Sequence, residues 1–297
     1  MFRSLISLLL LANLSSGTIM PAEDPTSEFN PVALLDVNPV PLINNDAIEP
    51  KIGAIAAIAM DLDSGIVLFE KNAREQLPMA SLTKIMTAII ILESHDLDEI
   101  VTIDENYGNL GEDVLGVRIW LRNGEKITVG NLMISLLVRS AGDTAYALAK
   151  YHSGSVEAFV NEMNERAKAL NLKDTHFVNP VGVDADGHYS SAFDLAILTK
   201  YALRNKTFRN IVKMKGATIE STDGNIKHEF LSTNYLLDSY LDIQGVKTGT
   251  TENAGESLIN LARNEYGNEI ITVLLNSPSR FQENKSMIDW VFRSFEW

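Results

Sequence analysis

Two kinds of hydrophobic pattern divide the chain, and their order is what most constrains the fold. Apolar, strand-forming residues occupy 55–60 and 66–69, and similar segments recur near the other end at 256–262 and 269–276. Apolar residues at helical spacing fill the region between them. Strands at both ends with helices in the middle favour one sheet built from the two ends, with a mostly helical lobe between.

Turn residues and helical spacing support this division. Gly65 suits a tight turn that joins the first two strand segments into a β-hairpin, and residues 264–267 suit a turn between the last two. One buried helix is predicted to begin close to Ser81. The other predicted helices cover 129–151, 155–170, 191–203 and a C-terminal segment with Met287, Ile288, Val291, Phe292 and Phe295 on one face.

These elements predict a single α/β (α+β) domain over residues 53–297. Its mainly antiparallel sheet comes from residues 53–80 and 235–297, and its inserted helical lobe comes from residues 81–234. A cleft between two such lobes is the usual place for an active site. We therefore expect the functional residues at the junction of the sheet and the helical lobe.

The start of the chain has a different character. Arg3 precedes an apolar stretch at 5–14 and a small-residue cluster, which is the layout of a signal peptide. The stretch is about ten residues long, short of the roughly 20 that a spanning helix needs. We expect residues 1–22 to be a signal peptide or N-terminal anchor of an exported protein, with a buried helix as the alternative. Residues 23–52 are rich in proline and are expected to form an extended linker.

Composition excludes several classes of function. A formal net charge of -14 makes nucleic acid a poor partner, because binding to a phosphate backbone requires an excess of Lys and Arg. The chain has no cysteine, which rules out disulfides, thiolate metal sites and cysteine nucleophiles. Oligomeric state is not predicted by any pattern in the sequence.

Ser81 and Lys84 stand three positions apart at the predicted start of a helix. This spacing places a hydroxyl and an amine on one face, close enough for Lys84 to accept the Ser81 proton. The first backbone N–H groups of a helix lack intrahelical partners and can bind a developing oxyanion. The simpler interpretation of the same residues is a capping serine and an exposed lysine.

A second lysine, Lys247, lies on a predicted strand and is followed by Thr248, Gly249 and Thr250. Burial and a nearby like charge both lower the pKa of a lysine, so Lys247 close to Lys84 would help Lys84 to act as a base. A glycine lets a substrate backbone approach closely, and a lysine with threonine hydroxyls can hold a terminal carboxylate. The alternative is an exposed strand end with a turn.

Together these segments resemble the low-molecular-mass D-alanyl-D-alanine carboxypeptidases, which are serine-type penicillin-binding proteins. The resemblance covers roughly residues 53–297 and is carried by windows at 79–87, 179–184, 188–194, 245–251 and 277–281. It implies a β-lactamase/transpeptidase-like fold, removal of the terminal D-alanine from peptidoglycan stem peptides and hence a location in the cell envelope, periplasmic or extracellular. It also implies binding of β-lactams, with no cofactor and no metal.

The resemblance further implies a role for each site residue. Ser81 is the acylated nucleophile and Lys84 is its general base. Lys247 with Thr248 anchors the substrate carboxylate, next to Gly249. Backbone N–H groups of Ser81 and Thr250 form the oxyanion hole.

One motif departs from the family pattern. The family carries a second motif, Ser-x-Asn, and Ser140 aligns with its serine. In this position Ser140 can relay a proton between Lys84 and the leaving amine. Gly142, however, stands where the family carries an asparagine whose amide contacts the lysine and the substrate. We expect this glycine to open space without a clash, and to weaken positioning so that activity is reduced but retained.

Other functions fit parts of the same sequence. A D,D-endopeptidase would use the same residues, whereas a β-lactamase would need fast deacylation, and its usual Glu-x-x-Leu-Asn loop is not found before Lys247. Gly142 motivates a non-catalytic peptidoglycan- or penicillin-binding module. His176, Asp184 and His188 suggest zinc by their closeness, but no His-Glu-x-x-His helix accompanies them, and we interpret them as loop groups.

Overall fold

A computed structural model describes residues 40–43, 48–105 and 107–297. The predicted signal peptide or anchor at 1–22 and most of the predicted linker at 23–52 lie outside these residues. Across the described ranges, no helix combines the length and the apolar character that crossing a membrane requires.

The described chain contains eleven strands and eight α-helices. The strands are β1 (Leu42–Ile43), β2 (Ala56–Asp61), β3 (Val67–Lys71), β4 (Ile100–Thr102), β5 (Lys126–Thr128), β6 (Gly216–Glu220), β7 (Lys227–Leu231), β8 (Asp242–Thr251), β9 (Gly255–Arg263), β10 (Glu269–Ser277) and β11 (Phe295–Glu296). The helices are α1 (Lys84–Ser94), α2 (Glu112–Leu115), α3 (Val129–Ile134), α4 (Gly142–Ser153), α5 (Val156–Ala169), α6 (Ala192–Ala202), α7 (Lys206–Val212) and α8 (Arg280–Ser294).

The main sheet is antiparallel and has the strand order β3-β2-β10-β9-β8. It joins the two ends of the described chain, as the sequence pattern predicts. The predicted hairpin is β2 with β3, and the predicted final pair is β9 with β10. The predicted fold class, with a mainly antiparallel sheet and flanking helices, is confirmed.

Strand β2 shows how each face of the main sheet packs against its own hydrophobic core. Its side chains alternate between faces, as a pleated strand requires. Ile58 and Met60 belong to the core under the helical lobe, whereas Ala57 and Ala59 pack in a second core with Met287 of α8. Both faces of this strand are therefore covered, and all six of its residues are buried.

The helical lobe differs from the predicted pattern at one important place. A single helix was expected over 129–151, but α3 continues into a π-helical turn at Ser135–Arg139, and Ser140 then adopts a left-handed conformation with φ of 68°. Helix α4 starts afresh two residues later. The predicted helices at 155–170 and 191–203 correspond to α5 and α6, whose first turns are capped by the side chains of Ser155 and Ser191.

Three strand pairs were not predicted from sequence. Strands β4 and β5 form one hairpin and β6 and β7 form another, both in the region that carries the helices. Strand β1 falls within the range of the predicted linker and pairs with β11, so that Leu42 lies opposite Glu296. These pairs are short, which leaves little periodicity to detect.

Candidate active site

Ser81 and Lys84 come together where a 3-10 turn at Ala80–Thr83 leads into α1. Ser81 is half-buried, whereas Lys84 is almost completely buried at 1% exposure. The Lys84 amine donates a hydrogen bond to Ser81 Oγ at 3.1 Å. A hydroxyl and an amine at this distance can exchange a proton directly.

The surroundings of Lys84 tune its basicity. Burial lowers the pKa of Lys84 to about 7, and the negative charge of Asp143 opposes that shift. Its amine also donates to the carbonyl oxygen of Val181 at 2.6 Å. Near neutral pH a large fraction of Lys84 is therefore uncharged and able to accept a proton.

Lys247, the second lysine predicted for the site, lies on the edge strand β8. This strand packs against the 3-10 turn at Ala80–Thr83, hereafter the Ser81 turn. A β-carbon added to Gly249 would lie 3.2 Å from the Ser81 backbone nitrogen, so the strand and the turn are in direct contact. Lys247 is buried, and its pKa is held well below the usual range, first by burial and then by the positive charges of Lys84 and Arg280. The structure thus brings Lys247 into the neighbourhood of Ser81 and Lys84.

The rest of β8 is held by side chains from neighbouring elements. Thr248 Oγ1 shares a hydrogen bond of 2.6 Å with Thr233 Oγ1, and the Lys247 amine donates to the Thr248 carbonyl at 3.0 Å. Arg280, at the start of α8, donates to the Gly249 carbonyl at 2.8 Å and also contacts Thr250 Oγ1. Sequence reasoning gave Arg280 no role, and the only signal for it was its place in the 277–281 window.

Ser140 lies at the turn that precedes α4, with 5% exposure. Within the described part of the chain, the hydrogen-bond acceptors of the Lys84 amine are Ser81 Oγ and the Val181 carbonyl, and the Ser140 hydroxyl is not among them. The left-handed backbone at Ser140 starts α4 in a new direction, and α4 packs against α1.

Gly142 does not leave open space, and that part of the sequence-based expectation is wrong. A β-carbon at this position would lie 1.6 Å from the carbonyl oxygen of Leu115 and 3.0 Å from Cγ1 of Val181. The backbone at the end of α2 therefore fills the volume that a side chain on residue 142 would occupy. A substituent there requires this backbone to move.

A cleft of about 620 Å³ opens beside Ser81. One wall comes from β8 and the residues just after it, another from the turn around Gly182, and a third from the segment that contains α2. Four carboxylate side chains line it, namely Glu112, Asp113, Asp184 and Glu252. The half-buried Ser81 hydroxyl is therefore accessible from a groove large enough for a small peptide.

The loop between α5 and α6 is held by groups that sequence reasoning left without a role. His188 is buried; its Nδ1 accepts from the Val178 N–H at 3.0 Å, so its Nε2 donates to Thr83 Oγ1 at 2.8 Å. The Thr83 hydroxyl in turn donates to the Ala80 carbonyl at 2.8 Å. Burial lowers the pKa of His188 to about 4, so the ring is neutral at pH 7 and links this loop to the Ser81 turn.

The three residues considered as zinc ligands are engaged with the protein itself. Both ring nitrogens of His188 are used as described, and His176 Nδ1 bonds to the Gly187 carbonyl at 2.7 Å. The Asp184 carboxylate accepts from Thr251 Oγ1 and from the Asn253 N–H, which ties the loop to the end of β8. These contacts give the three side chains structural roles at the edge of the cleft.

Known proteins are similar to this chain in sequence and in fold. The family described as D-alanyl-D-alanine carboxypeptidase matches residues 43–279. D-alanyl-D-alanine carboxypeptidase DacF of Bacillus subtilis is 36% identical over 82% of this chain, and DacC of Escherichia coli is 35% identical over 83%. The chain spans about 63% of the length of these two curated relatives.

Solved structures agree with the sequence relatives. The crystal structure of a Streptomyces DD-transpeptidase matches 83% of this chain and 99% of its own, with 31% identity and a TM-score of 0.77. Penicillin binding protein 5 from Haemophilus influenzae matches 84% of this chain and 73% of its own, with 30% identity and a TM-score of 0.76. The chain belongs to the D-alanyl-D-alanine carboxypeptidase family.

Proposed function

We propose that this protein is a serine-type D,D-carboxypeptidase that removes the terminal D-alanine from peptidoglycan stem peptides. The observation that carries the proposal is the buried Lys84 amine, 3.1 Å from Ser81 Oγ and with a pKa lowered to about 7. Such an amine can take a proton from a serine at neutral pH, which turns a weak nucleophile into an effective one. Membership of the family supports the choice of substrate.

Acylation begins when Ser81 Oγ attacks the carbonyl carbon of the penultimate D-alanine and its proton passes to Lys84. The resulting oxyanion is stabilised by the backbone N–H groups of Ser81 and Thr250, which lie on adjoining segments. Collapse of this intermediate breaks the C–N bond, and the departing D-alanine amine takes up the proton. The Ser140 hydroxyl, in the turn that precedes α4, is the proposed relay for that proton, which requires it to come within hydrogen-bond distance of the Lys84 amine during the reaction.

Deacylation reverses these roles. Water attacks the ester carbonyl, Lys84 accepts a proton from the water, and Ser81 recovers a proton as the shortened peptide leaves. Lys247 and Thr248 hold the terminal carboxylate of the incoming peptide, and Gly249 lets the peptide backbone lie against β8. An anion beside Lys247 favours its charged form, which burial otherwise disfavours.

The decisive test is mass spectrometry of the protein after treatment with penicillin, with the adduct mapped by peptide. We expect one acyl group on Ser81, none in Ser81→Ala, and unchanged labelling in the matched control Ser286→Ala, whose hydroxyl lies on α8 and bonds to the Gln282 carbonyl. A chain that stays unlabelled, or is labelled elsewhere, contradicts the proposal. The unlabelled outcome would favour a non-catalytic module that binds peptidoglycan or penicillin.

A second candidate is transfer of the acyl group to an amine in place of water, since a structural neighbour at 31% identity is a Streptomyces DD-transpeptidase. Incubation of a D-alanyl-D-alanine peptide with and without an amine acceptor separates the two reactions. Free acid as the main product in both mixtures supports the carboxypeptidase. Cross-linked muropeptides test a D,D-endopeptidase, and rapid release of hydrolysed penicillin tests a β-lactamase.

We further propose that residues 53–297 form the catalytic domain, with sheet segments at 53–80 and 235–297 around the helical lobe at 81–234. Residues 23–52 lead into this domain as a linker whose described part already pairs with it through β1, and residues 1–22 act as an export signal or anchor. Peptidoglycan peptides and β-lactams are its proposed partners, and the cell envelope is its proposed location, which family membership supports. Fractionation of cells that express the full chain, with N-terminal sequencing of the recovered protein, tests export and cleavage.

A further inference from the structure

The amine of Lys84 has two hydrogen-bond acceptors among the described residues, and the shorter bond is to a backbone carbonyl. Ser81 Oγ lies at 3.1 Å and the Val181 carbonyl oxygen at 2.6 Å. Position 142 contributes no side chain, and its β-carbon direction is filled by Leu115. The orientation of the amine toward Ser81 therefore depends on where the Val181 carbonyl points.

The direction of that carbonyl is controlled by the side chain of Asn179. Its Oδ1 accepts from the Val181 N–H at 3.1 Å and from the Gly182 N–H at 2.6 Å. Its Nδ2 donates to the Val183 carbonyl at 3.1 Å, which closes the turn from its other end. One buried carboxamide thus bonds backbone groups of three successive residues, Val181, Gly182 and Val183, around the Lys84 acceptor.

Two further contacts fix this turn against the nucleophile. Thr87, on α1 one turn after Lys84, donates its hydroxyl to the Pro180 carbonyl at 2.8 Å. Gly182 has φ of 91°, and a β-carbon there would lie 2.0 Å from the Ala80 carbonyl oxygen. The turn is therefore in direct backbone contact with the residue that precedes Ser81.

We propose that Asn179 is a positioning residue for the reaction: through the Val181 carbonyl it holds the Lys84 amine on Ser81, a task that no side chain at position 142 performs in this chain. The proposal rests on the proposed function in taking Lys84 as the base. It assigns the orientation of that base to a loop located between α5 and α6.

The proposal predicts a change in the titration of Lys84 as well as in rate. A carbonyl that accepts from an ammonium group stabilises the charged form, so loss of this acceptor lowers the pKa of Lys84 further. A displaced amine also transfers a proton less efficiently, which we expect to slow acylation about tenfold to a hundredfold. A purely structural role for Asn179 would lower stability and leave the titration of Lys84 unchanged.

The test compares three variants with the wild-type chain. Asn179→Ala removes the carboxamide, and Asn179→Ser keeps a shorter hydroxyl acceptor that can form a weaker version of the same turn. Asn164→Ala is the matched control, because the Asn164 carboxamide also binds the backbone of this loop, at both the N–H and the carbonyl of Phe177, away from Lys84. For each chain, NMR of isotopically labelled lysines follows the titration of Lys84, assigned with Lys84→Arg, and penicillin acylation is measured against pH.

We expect the midpoint for Lys84 and the acylation profile to move to lower pH in Asn179→Ala, by a smaller amount in Asn179→Ser, and not at all in Asn164→Ala. If Asn179→Ala does not fold, the test relies on the smaller shift of the Lys84 titration midpoint in Asn179→Ser. Wild-type titration in Asn179→Ser, or equal shifts in the Asn179 and Asn164 variants, overturns the inference. A wild-type chain without an adduct on Ser81 would refute the proposed function instead, and the NMR titration would still decide the role of Asn179.

Discussion

The backbone N–H of Gly142 donates to the carbonyl oxygen of Val117 at 2.6 Å, which fastens the segment after α2 to the first residue of α4. The next residue strengthens the attachment, because the buried Asp143 carboxylate accepts from the N–H groups of Ile119 and Leu121 at 3.2 and 3.1 Å. Burial raises the pKa of Asp143, while these N–H groups oppose the shift. The start of α4 thus anchors one wall of the cleft.

This attachment predicts that restoring an asparagine at position 142 harms the protein. Gly142→Asn must displace the Leu115 carbonyl, so we expect lower stability by about 1–3 kcal/mol and slower penicillin acylation. Denaturant unfolding and stopped-flow acylation measure the two effects. Gly111→Ala is the matched control, since the group too close to its new β-carbon is the exposed carboxylate of Asp113, which can turn away, and the nearest backbone atom lies at an ordinary contact distance of 3.9 Å. Faster acylation by Gly142→Asn would show that Leu115 does not restrict this position.

The rate of acylation should depend on the charge of Lys84. Because burial lowers its pKa to about 7, the neutral, proton-accepting form grows as pH rises through that value. We expect the second-order rate constant with penicillin to increase with pH and to level off above about pH 8. Measurement from about pH 5 to about pH 9 defines the midpoint. A flat profile would mean that another group accepts the Ser81 proton.

Binding of a carboxylate should be coupled to proton uptake at Lys247. Burial and neighbouring positive charges hold its pKa well below the usual range, and a bound anion raises it, so a proton enters with the ligand. Calorimetry of a carboxylate-bearing β-lactam with Ser81→Ala, in two buffers of different ionisation enthalpy, detects this proton. The added Lys247→Arg substitution keeps the charge permanently and should abolish uptake. Equal binding enthalpies in both buffers for Ser81→Ala, in which Lys247 is retained, would refute the coupling.

Stability should fall in mild acid because of His188. Its pKa is lowered by burial from 6.5 to about 4 in the folded chain, so the unfolded chain binds a proton first as pH decreases. Above pH 6.5 the His188 ring is neutral in both the folded and the unfolded chain and does not lower the free energy of unfolding. Between pH 6.5 and pH 4 its protonation in the unfolded chain lowers the free energy of unfolding progressively, by about 3 kcal/mol in total. Urea unfolding at several pH values tests this, with His188→Gln as the chain that lacks the titration. The same pH slope in both chains would exclude His188 as the cause.

Local patterns predicted the elements that are long and regular. The hairpin of β2 and β3 and the helices α5 and α6 follow from apolar spacing and capping residues. The break at Ser140 did not follow, because a serine in the left-handed conformation leaves the hydrophobic pattern around it unchanged. The short hairpins β4–β5 and β6–β7 were missed for lack of residues over which to see alternation.

The sequence alone determined the Ser81 and Lys84 pair, since residues three apart at a helix start share a face whatever the rest of the chain does. Only the tertiary structure decided that the Val181 carbonyl takes one hydrogen bond of the amine and that the Leu115 backbone fills the place of a side chain at Gly142. These partners lie 97 and 27 positions away from the residues they serve. Contacts between distant segments depend on how the whole core packs, and no local spacing encodes them.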